Sequence, residues 1–118
     1  MKLGTASLLA GLAAASPSWA EQGDYRQADA ELNRLYREIE SRLADSPDIR
    51  QGLIKAQRAW IAFRDAECRF AASGVEGGSA YPDVYAACLE DLTRARIDNF
   101  NAYLSCEEGD LSCPVPEN

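Results

Sequence analysis

The sequence contains no histidine, so it lacks the side chain that titrates near neutral pH and most often acts as a general base. Nucleophilic sites of the Ser-His-Asp and Cys-His types are therefore excluded. The glycines at positions 74, 77 and 78 follow a helical pattern and not a strand, which argues against a phosphate-binding loop or a dinucleotide fingerprint. Carboxylates such as Asp65 and Glu67 are two residues apart on a helix and point in different directions. The sequence predicts no enzyme, no catalytic residue and no cofactor.

Basic residues are also scarce. The chain has 12 Lys and Arg against 19 Asp and Glu, a net charge of −7. This balance argues against partners that need a basic patch, which are nucleic acids and anionic membranes. An acidic surface would speed the approach of a basic protein partner, and it would also keep an exported protein soluble.

The apolar run over residues 3–15 is too short for a stable membrane span. It follows a single lysine and precedes small residues at Ser18 and Ala20, which is the layout of a secretory signal peptide. We expect residues 1–20 to be removed, which leaves 98 residues with 11 basic and 19 acidic side chains, a net charge of −8. An uncleaved anchor is the alternative, whereas a lipid anchor is not expected because no cysteine follows Ala20.

Four cysteines are present, Cys68, Cys88, Cys106 and Cys113. In a small exported domain an even number predicts two disulfides, with three possible pairings. Cys68 lies about one turn before a glycine-rich loop and Cys88 about two turns after it, so an antiparallel helical hairpin would join these two and leave Cys106 to pair with Cys113. A zinc site is the alternative, but there is no histidine and no pair of closely spaced cysteines, and no metal is expected.

Three stretches show the spacing of amphipathic helices, at about residues 24–44, 47–72 and 82–104. The apolar face of the first is Ala28, Leu32, Leu35, Tyr36, Ile39 and Leu43. The face of the second is Leu53, Ala56, Gln57, Trp60, Ile61, Phe63, Arg64 and Cys68. The face of the third is Val84, Tyr85, Cys88, Leu89, Leu92, Ile97, Phe100, Tyr103 and Leu104. Ser46 and Pro47 suit the start of the second helix.

The connections between these stretches are short, so consecutive helices must run antiparallel. We therefore predict an all-α fold, an antiparallel three-helix bundle with two disulfides. Residues 21–104 form the helical domain, and residues 105–118 form an acidic, extended tail pinned by its disulfide.

Polar side chains interrupt the apolar face of the second helix, where Gln57, Trp60, Arg64 and Cys68 recur at helical spacing. One interpretation is a binding site. The interpretation that we favour is structural: Arg64 reaches a carboxylate on a neighbouring helix, either Asp29 or Asp91, while its stem covers Trp60. The residues predicted to tie the helices together in this way are Asp29, Asn33, Gln57, Arg64, Asp91 and Arg96, with Thr93 beside Arg96.

Several segments together resemble the LprI-type family, small exported bacterial proteins named after a lysozyme inhibitor. The matching segments are Ala-Asp-Ala-Glu-Leu-Asn at 28–33 with Tyr36, Ala-Gln-Arg-Ala-Trp-Ile to Phe-Arg-Asp-Ala-Glu-Cys at 56–68, Gly-Gly-Ser at 77–79, Cys88, and Leu-Thr at 92–93 with Arg96. The resemblance covers about residues 24–104. Many relatives carry a further cysteine-bearing segment before the first motif, and this chain lacks it.

The resemblance implies a bacterial protein of the periplasm or the secreted fraction, with no membrane insertion after signal cleavage, that blocks a basic, cell-wall-cleaving lysozyme. The loop over residues 74–81 would enter the lysozyme cleft, with Glu76, Ser79 and Tyr81 as partner-binding residues. A plain interhelical loop is the alternative. Two other functions stay open, a non-inhibitory envelope module and an immunity protein against a peptidoglycan-degrading toxin. The sequence indicates neither the individual partner nor the oligomeric state.

Overall fold

The computed structural model of the chain describes the backbone of residues 18–117 and the side chains of residues 23–117. The regular elements of this part of the chain are all helices and it contains no strand, which confirms the all-α class. Its elements are α1 (Ser18–Arg42), α2 (Pro47–Ala71), a 3-10 turn (Ser73–Val75) and α3 (Tyr81–Leu104).

The bounds of α2 and α3 agree with the prediction to within one residue, whereas α1 begins six residues before the predicted start. The apolar repeat begins only at Ala28, so periodicity does not reveal the polar turns that precede it. Those turns hold Glu21 and Gln22, which are good helix formers, and Gly23 is their weakest position. The predicted signal peptide lies outside the described residues except for its last three, which enter the backbone of α1.

Helices α1 and α3 run parallel to each other and form the main packing pair. In the carboxyl-terminal half of both helices, the rings of Tyr36 and Phe100 lie 6.5 Å apart between centroids. Toward the carboxyl end, Arg42 Nη1 donates to the carbonyl oxygen of Leu104 at 3.2 Å. From the first contact to the second, the residue numbers rise along both α1 and α3, so the two helices run in the same direction.

Helix α2 runs antiparallel to α3. Cys68, near the end of α2, is bonded to Cys88 near the start of α3, with 5.5 Å between the Cα atoms. Gln57, earlier on α2, contacts Arg96, later on α3. The chain therefore forms the predicted antiparallel three-helix bundle.

The hydrophobic core lies between α1 and α3 and is closed by one residue of the tail, Val115, which is only 6% exposed. All the apolar positions predicted for α1 are in this cluster, with Tyr36 half-buried at its edge. The buried members are Ala28, Leu32, Leu35, Ile39, Leu43, Ile97, Phe100 and Val115. The tail was predicted to be extended and held by its disulfide. The prediction did not include a contribution of the tail to the core.

The apolar face predicted for α2 is too wide. Ala56 and Ile61 are exposed, and Phe63 is 54% exposed. Only Gln57, Arg64 and Cys68 are buried on this helix, with Leu53 and Trp60 half-buried. The reason is that α1 and α3 already bury most of each other's apolar surface, so α2 contacts the pair through a narrow strip. Val84, predicted for the face of α3, is likewise exposed.

Both predicted disulfides are present, and neither leaves a cysteine free. The Cys68–Cys88 bond closes the α2–α3 hairpin. The Cys106–Cys113 bond, with 6.1 Å between Cα atoms, holds the tail against the end of α3 and so positions Val115.

Candidate functional site

Arg64 is a buried cation at the centre of the bundle, 7% exposed. Its Nη1 lies 3.7 Å from Asp29 Oδ1 on α1 and donates to Thr93 Oγ1 on α3 at 3.4 Å. Its Nε donates to Asp65 Oδ1 on its own helix at 3.0 Å. One guanidinium therefore joins α2 to both other helices.

Asp29, and not Asp91, is the carboxylate that Arg64 reaches across a helix interface. Asp91 is exposed and forms no ion pair among the described residues. It is two positions from Thr93, which places it on a different side of α3. Asn33 also fails to join two helices, because its Nδ2 donates to Asp29 Oδ2 within α1 at 3.4 Å.

Arg96 and Gln57 form the second tie between α2 and α3. Arg96 Nε donates to Gln57 Oε1 at 3.1 Å. The predicted neighbour of Arg96, Thr93, instead receives its contact from Arg64. Burial lowers the pKa of the Arg96 guanidinium below its ordinary value, since desolvation disfavours the charged form.

Arginines and aromatic rings alternate through this region. The guanidinium carbon of Arg64 lies 5.5 Å from the ring centre of Tyr25 and 5.1 Å from that of Trp60. The guanidinium carbon of Arg96 lies 5.8 Å from Trp60 and 4.7 Å from Phe100. Such cation–π contacts stabilise a cation that has lost water. The polar residues of α2 therefore hold the helices together inside the bundle. A binding site must lie elsewhere, on the exposed surface.

The loop between α2 and α3 is exposed and carries two of the three predicted partner-binding residues. Glu76 and Ser79 are both exposed. The turn between them depends on Gly77, whose φ of +83° is a conformation that other residues rarely adopt.

Tyr81, the third predicted residue, stands at the base of the loop as the first residue of α3. Its ring stacks on that of Tyr85, with 5.7 Å between centroids and 10° between planes. The two rings, with Tyr25 and Arg26 of α1, border a surface cavity of about 370 Å³. Sequence analysis missed this tyrosine cluster, although the spacing of four between Tyr81 and Tyr85 was a local signal for it.

Within residues 23–117, no group of three or more acidic or cysteine side chains is placed to hold a metal ion. None of the described helices is both long enough and apolar enough to cross a membrane.

Comparison with known proteins gives two matches. A family model described as lysozyme inhibitor LprI matches residues 13–100. An uncharacterized protein of Rhizobium meliloti (strain 1021) is 42% identical over 96 residues, which cover 72% of this chain and 69% of that protein. No solved structure matches the chain. The family match includes the buried arginine ties, the Cys68–Cys88 hairpin and the loop at its tip, and it ends before the tail.

Proposed function

This chain belongs to the LprI family, and from that membership we propose that it is an exported protein that binds and inhibits a cell-wall-degrading lysozyme. The family match is the observation that carries the proposal. The family is one of inhibitors and not of enzymes, and a chain without histidine suits a binding role. An inhibitor of this kind would act in the periplasm or outside the cell, where a lysozyme reaches the wall.

The charge of the chain supports a basic partner. With a net charge of −7, the protein attracts a basic lysozyme at long range and speeds the formation of the complex. This attraction does not determine which surface contacts the partner, because it acts on the whole molecule. The contact surface must supply exposed groups of suitable shape.

The exposed α2–α3 loop offers such groups. A lysozyme cleft contains two catalytic carboxyl groups, which accept hydrogen bonds from a donor placed between them. The Ser79 hydroxyl is exposed and suits that position. Glu76 would be repelled by the same carboxylates, so it must meet a basic residue at the rim of the cleft.

Tyr81 would anchor the complex beside the loop. Its stacking on Tyr85 fixes the ring before binding, so little side-chain entropy is lost when a partner packs on it. Its phenol also offers a hydrogen-bond donor at the edge of the interface.

A cell-wall clearing assay tests this function. The purified protein, with its disulfides intact, is added at micromolar concentration to lysozymes of several classes, and we expect dose-dependent slowing of at least one. An unrelated acidic protein of similar charge is the control for nonspecific neutralisation. If no lysozyme class is slowed, inhibition is wrong, and the chain is then a non-inhibitory envelope module or an immunity protein against a peptidoglycan-degrading toxin.

A further inference from the structure

One flank of α2 carries an unbroken apolar stripe, beside the strip of this helix that contacts its own bundle. The members of this α2 stripe are spaced alternately by three and four residues, and every one is exposed. Three are large: Ile49 is 47% exposed, Phe63 54% and Phe70 75%. The complete stripe is Ile49, Gly52, Ala56, Ala59, Phe63, Ala66 and Phe70.

This spacing is that of a coiled-coil seam, which repeats every seven residues and packs against a second helix. The stripe is distinct from the strip of α2 that contacts its own bundle, where Gln57, Arg64 and Cys68 are buried. From Ile49 to Phe70 it runs about 32 Å at 1.5 Å per residue. Helix α2 therefore has two seams, and only one is occupied within the described chain.

Gly52, inside the stripe, has no explanation within a single copy. A Cβ atom built there meets nothing within 4 Å, and its backbone is helical. Glycine weakens a helix interior relative to alanine. The open space beside Gly52 leaves room for another chain to approach the helix closely at this point.

The two halves of the stripe have complementary shapes. Beside the first half lies an apolar cavity of about 280 Å³, bordered by Ile49, Gly52 and Ala56 on α2 and by Tyr103 and Val115 opposite. The second half carries the two projecting phenylalanine rings. One end of the stripe is thus concave and the other end convex.

We propose that the α2 stripe binds a second copy of this chain, with the two α2 helices antiparallel about a twofold axis between Ala56 and Ala59. Phe63 of each copy then packs over Gly52 of the other, at the mouth of the cavity. Ile49 packs against Ala66, and Ala56 against Ala59. Each of these three layers pairs a large residue with a small one or two small ones, as a self-complementary interface requires, and Phe70 lies beyond them, opposite the turn that precedes α2 of the other copy.

Charge favours the same arrangement. Asp48 and Arg69 are exposed and flank the two ends of the stripe on one side. The antiparallel pairing places Asp48 of each copy beside Arg69 of the other, twice by symmetry. A parallel pairing would bring the two Asp48 carboxylates to one end, oppose the two Phe63 rings, and leave both cavities empty.

The association is weak and reversible. A stable dimer buries about 1,600 Å² in total, and a single pair of helices over about 32 Å buries less. Each copy carries a net charge of −7, so the copies repel at long range. Salt screens that repulsion and strengthens the dimer, whereas it slows association with a basic lysozyme. Whether the protein dimerises does not depend on whether it inhibits a lysozyme.

Sedimentation equilibrium of the oxidised protein over a range of concentrations tests the dimer. We expect a monomer–dimer equilibrium, and Phe63→Asp should weaken it at least about tenfold, the loss typical of an interface hot spot. Leu111→Asp is the matched control, since Leu111 is fully exposed, apolar and outside the stripe. Circular dichroism checks that both variants fold. A protein that stays monomeric at all concentrations, or equal weakening by both substitutions, overturns the proposal.

Further variants at Gly52, Asp48 and Arg69 test the geometry. Gly52→Leu should weaken the dimer while raising the melting temperature of the monomer, because leucine favours the helix and blocks the approach of Phe63. Asp48→Arg and Arg69→Asp should each weaken the dimer, and the double variant should restore it. Unchanged dimerisation of Gly52→Leu, or no restoration by the double variant, overturns the antiparallel arrangement.

Discussion

The guanidinium of Arg64 lies against the indole ring of Trp60, one turn earlier on α2, at 5.1 Å from the ring centre. The same ring is approached by Arg96 of α3, at 5.8 Å. Two like charges are thus held near one another by an aromatic ring that both contact. Trp60 allows this because the face of an indole is electron-rich and attracts cations.

Arg64→Ala should destabilise the fold by about 2–3 kcal/mol, since the variant loses the link from α2 to α1 and α3 and the packing on two rings. At roughly 4–8 °C per kcal/mol for a domain of this size, the melting temperature should fall by about 8–24 °C. Arg94→Ala is the control, because the one ion pair of Arg94 among the described residues is an exposed pair with Glu90 on α3, and such a pair is worth ~0.5 kcal/mol. Equal melts for the two variants would show that Arg64 is not a tie.

Removing the disulfides should produce effects of different kinds. In the chain-entropy model the Cys68–Cys88 bond, with a sequence separation of 20, is worth ~3.3 kcal/mol, and the Cys106–Cys113 bond, with a separation of 7, ~2.5 kcal/mol. Cys106→Ser with Cys113→Ser should also release Val115 and make the tail accessible to proteases. Limited proteolysis with mass analysis measures this, and a tail that stays protected would mean that Val115 holds without the bond.

If the protein inhibits a lysozyme, Tyr81→Ala should weaken binding at least about tenfold, mainly through faster dissociation. Ser79→Ala should cost less, since a single hydroxyl contributes one hydrogen bond of about 1 kcal/mol. Surface plasmon resonance separates the two rates, with circular dichroism as the check on folding. Inhibition that survives both substitutions would place the contact surface on an acidic helix face or on the tail.

Alkaline conditions should lower the stability of the protein through its tyrosines. Burial raises the pKa of the Tyr25 phenol above its ordinary value of 10.0, an effect that Arg64 partly opposes, and burial also raises that of Tyr36. Above about pH 10 the unfolded chain releases these protons first, so stability falls as pH rises through the folded pKa.

Urea unfolding as a function of pH measures this, and Tyr25→Phe should reduce the alkaline loss. Between about pH 6 and 8 stability should stay flat, because the chain has no histidine to titrate. A marked change in that neutral range, or an alkaline loss unaffected by Tyr25→Phe, would contradict the assignment.

Export should be accompanied by cleavage after Ala20, as the small residues at Ser18 and Ala20 predict. Intact-mass measurement of protein from the periplasm and the medium tests it, with cytoplasmic protein from the same cells as the control. An exported mass that still includes residues 1–20 would contradict the prediction.

Sequence patterns predicted the local features of the fold and left the choice of distant partners open. The repeat in α1 identified its buried residues, because that helix is amphipathic along one stripe. The spacing of Gln57, Trp60, Arg64 and Cys68 placed them together, because residues three and four apart share a helix face. Asp29 and Asp91 could not be told apart as partners of Arg64, since that choice depends on the rotation of α1 and α3 about their axes.

The same limit explains the error on α2. Phe63 is apolar and lies near the buried strip, so its residue type predicted burial, while the width of the strip is set by how closely α1 and α3 pack together. Periodicity reports which residues share a face, and it does not report whether a neighbour covers that face. The exposed stripe through Phe63 and Phe70 therefore became visible only in three dimensions.

The pairing of α1 with α3 has a consequence for the timing of folding. A ribosome delivers α1 first and α3 last, so the helix with most of the core has no partner until the chain is nearly finished. Contacts between distant segments also slow folding, because the intervening chain must first be brought together. A chain with this topology cannot complete its core before its synthesis is nearly finished. Such a delay suits the export proposed above, since a secretion channel accepts unfolded chains.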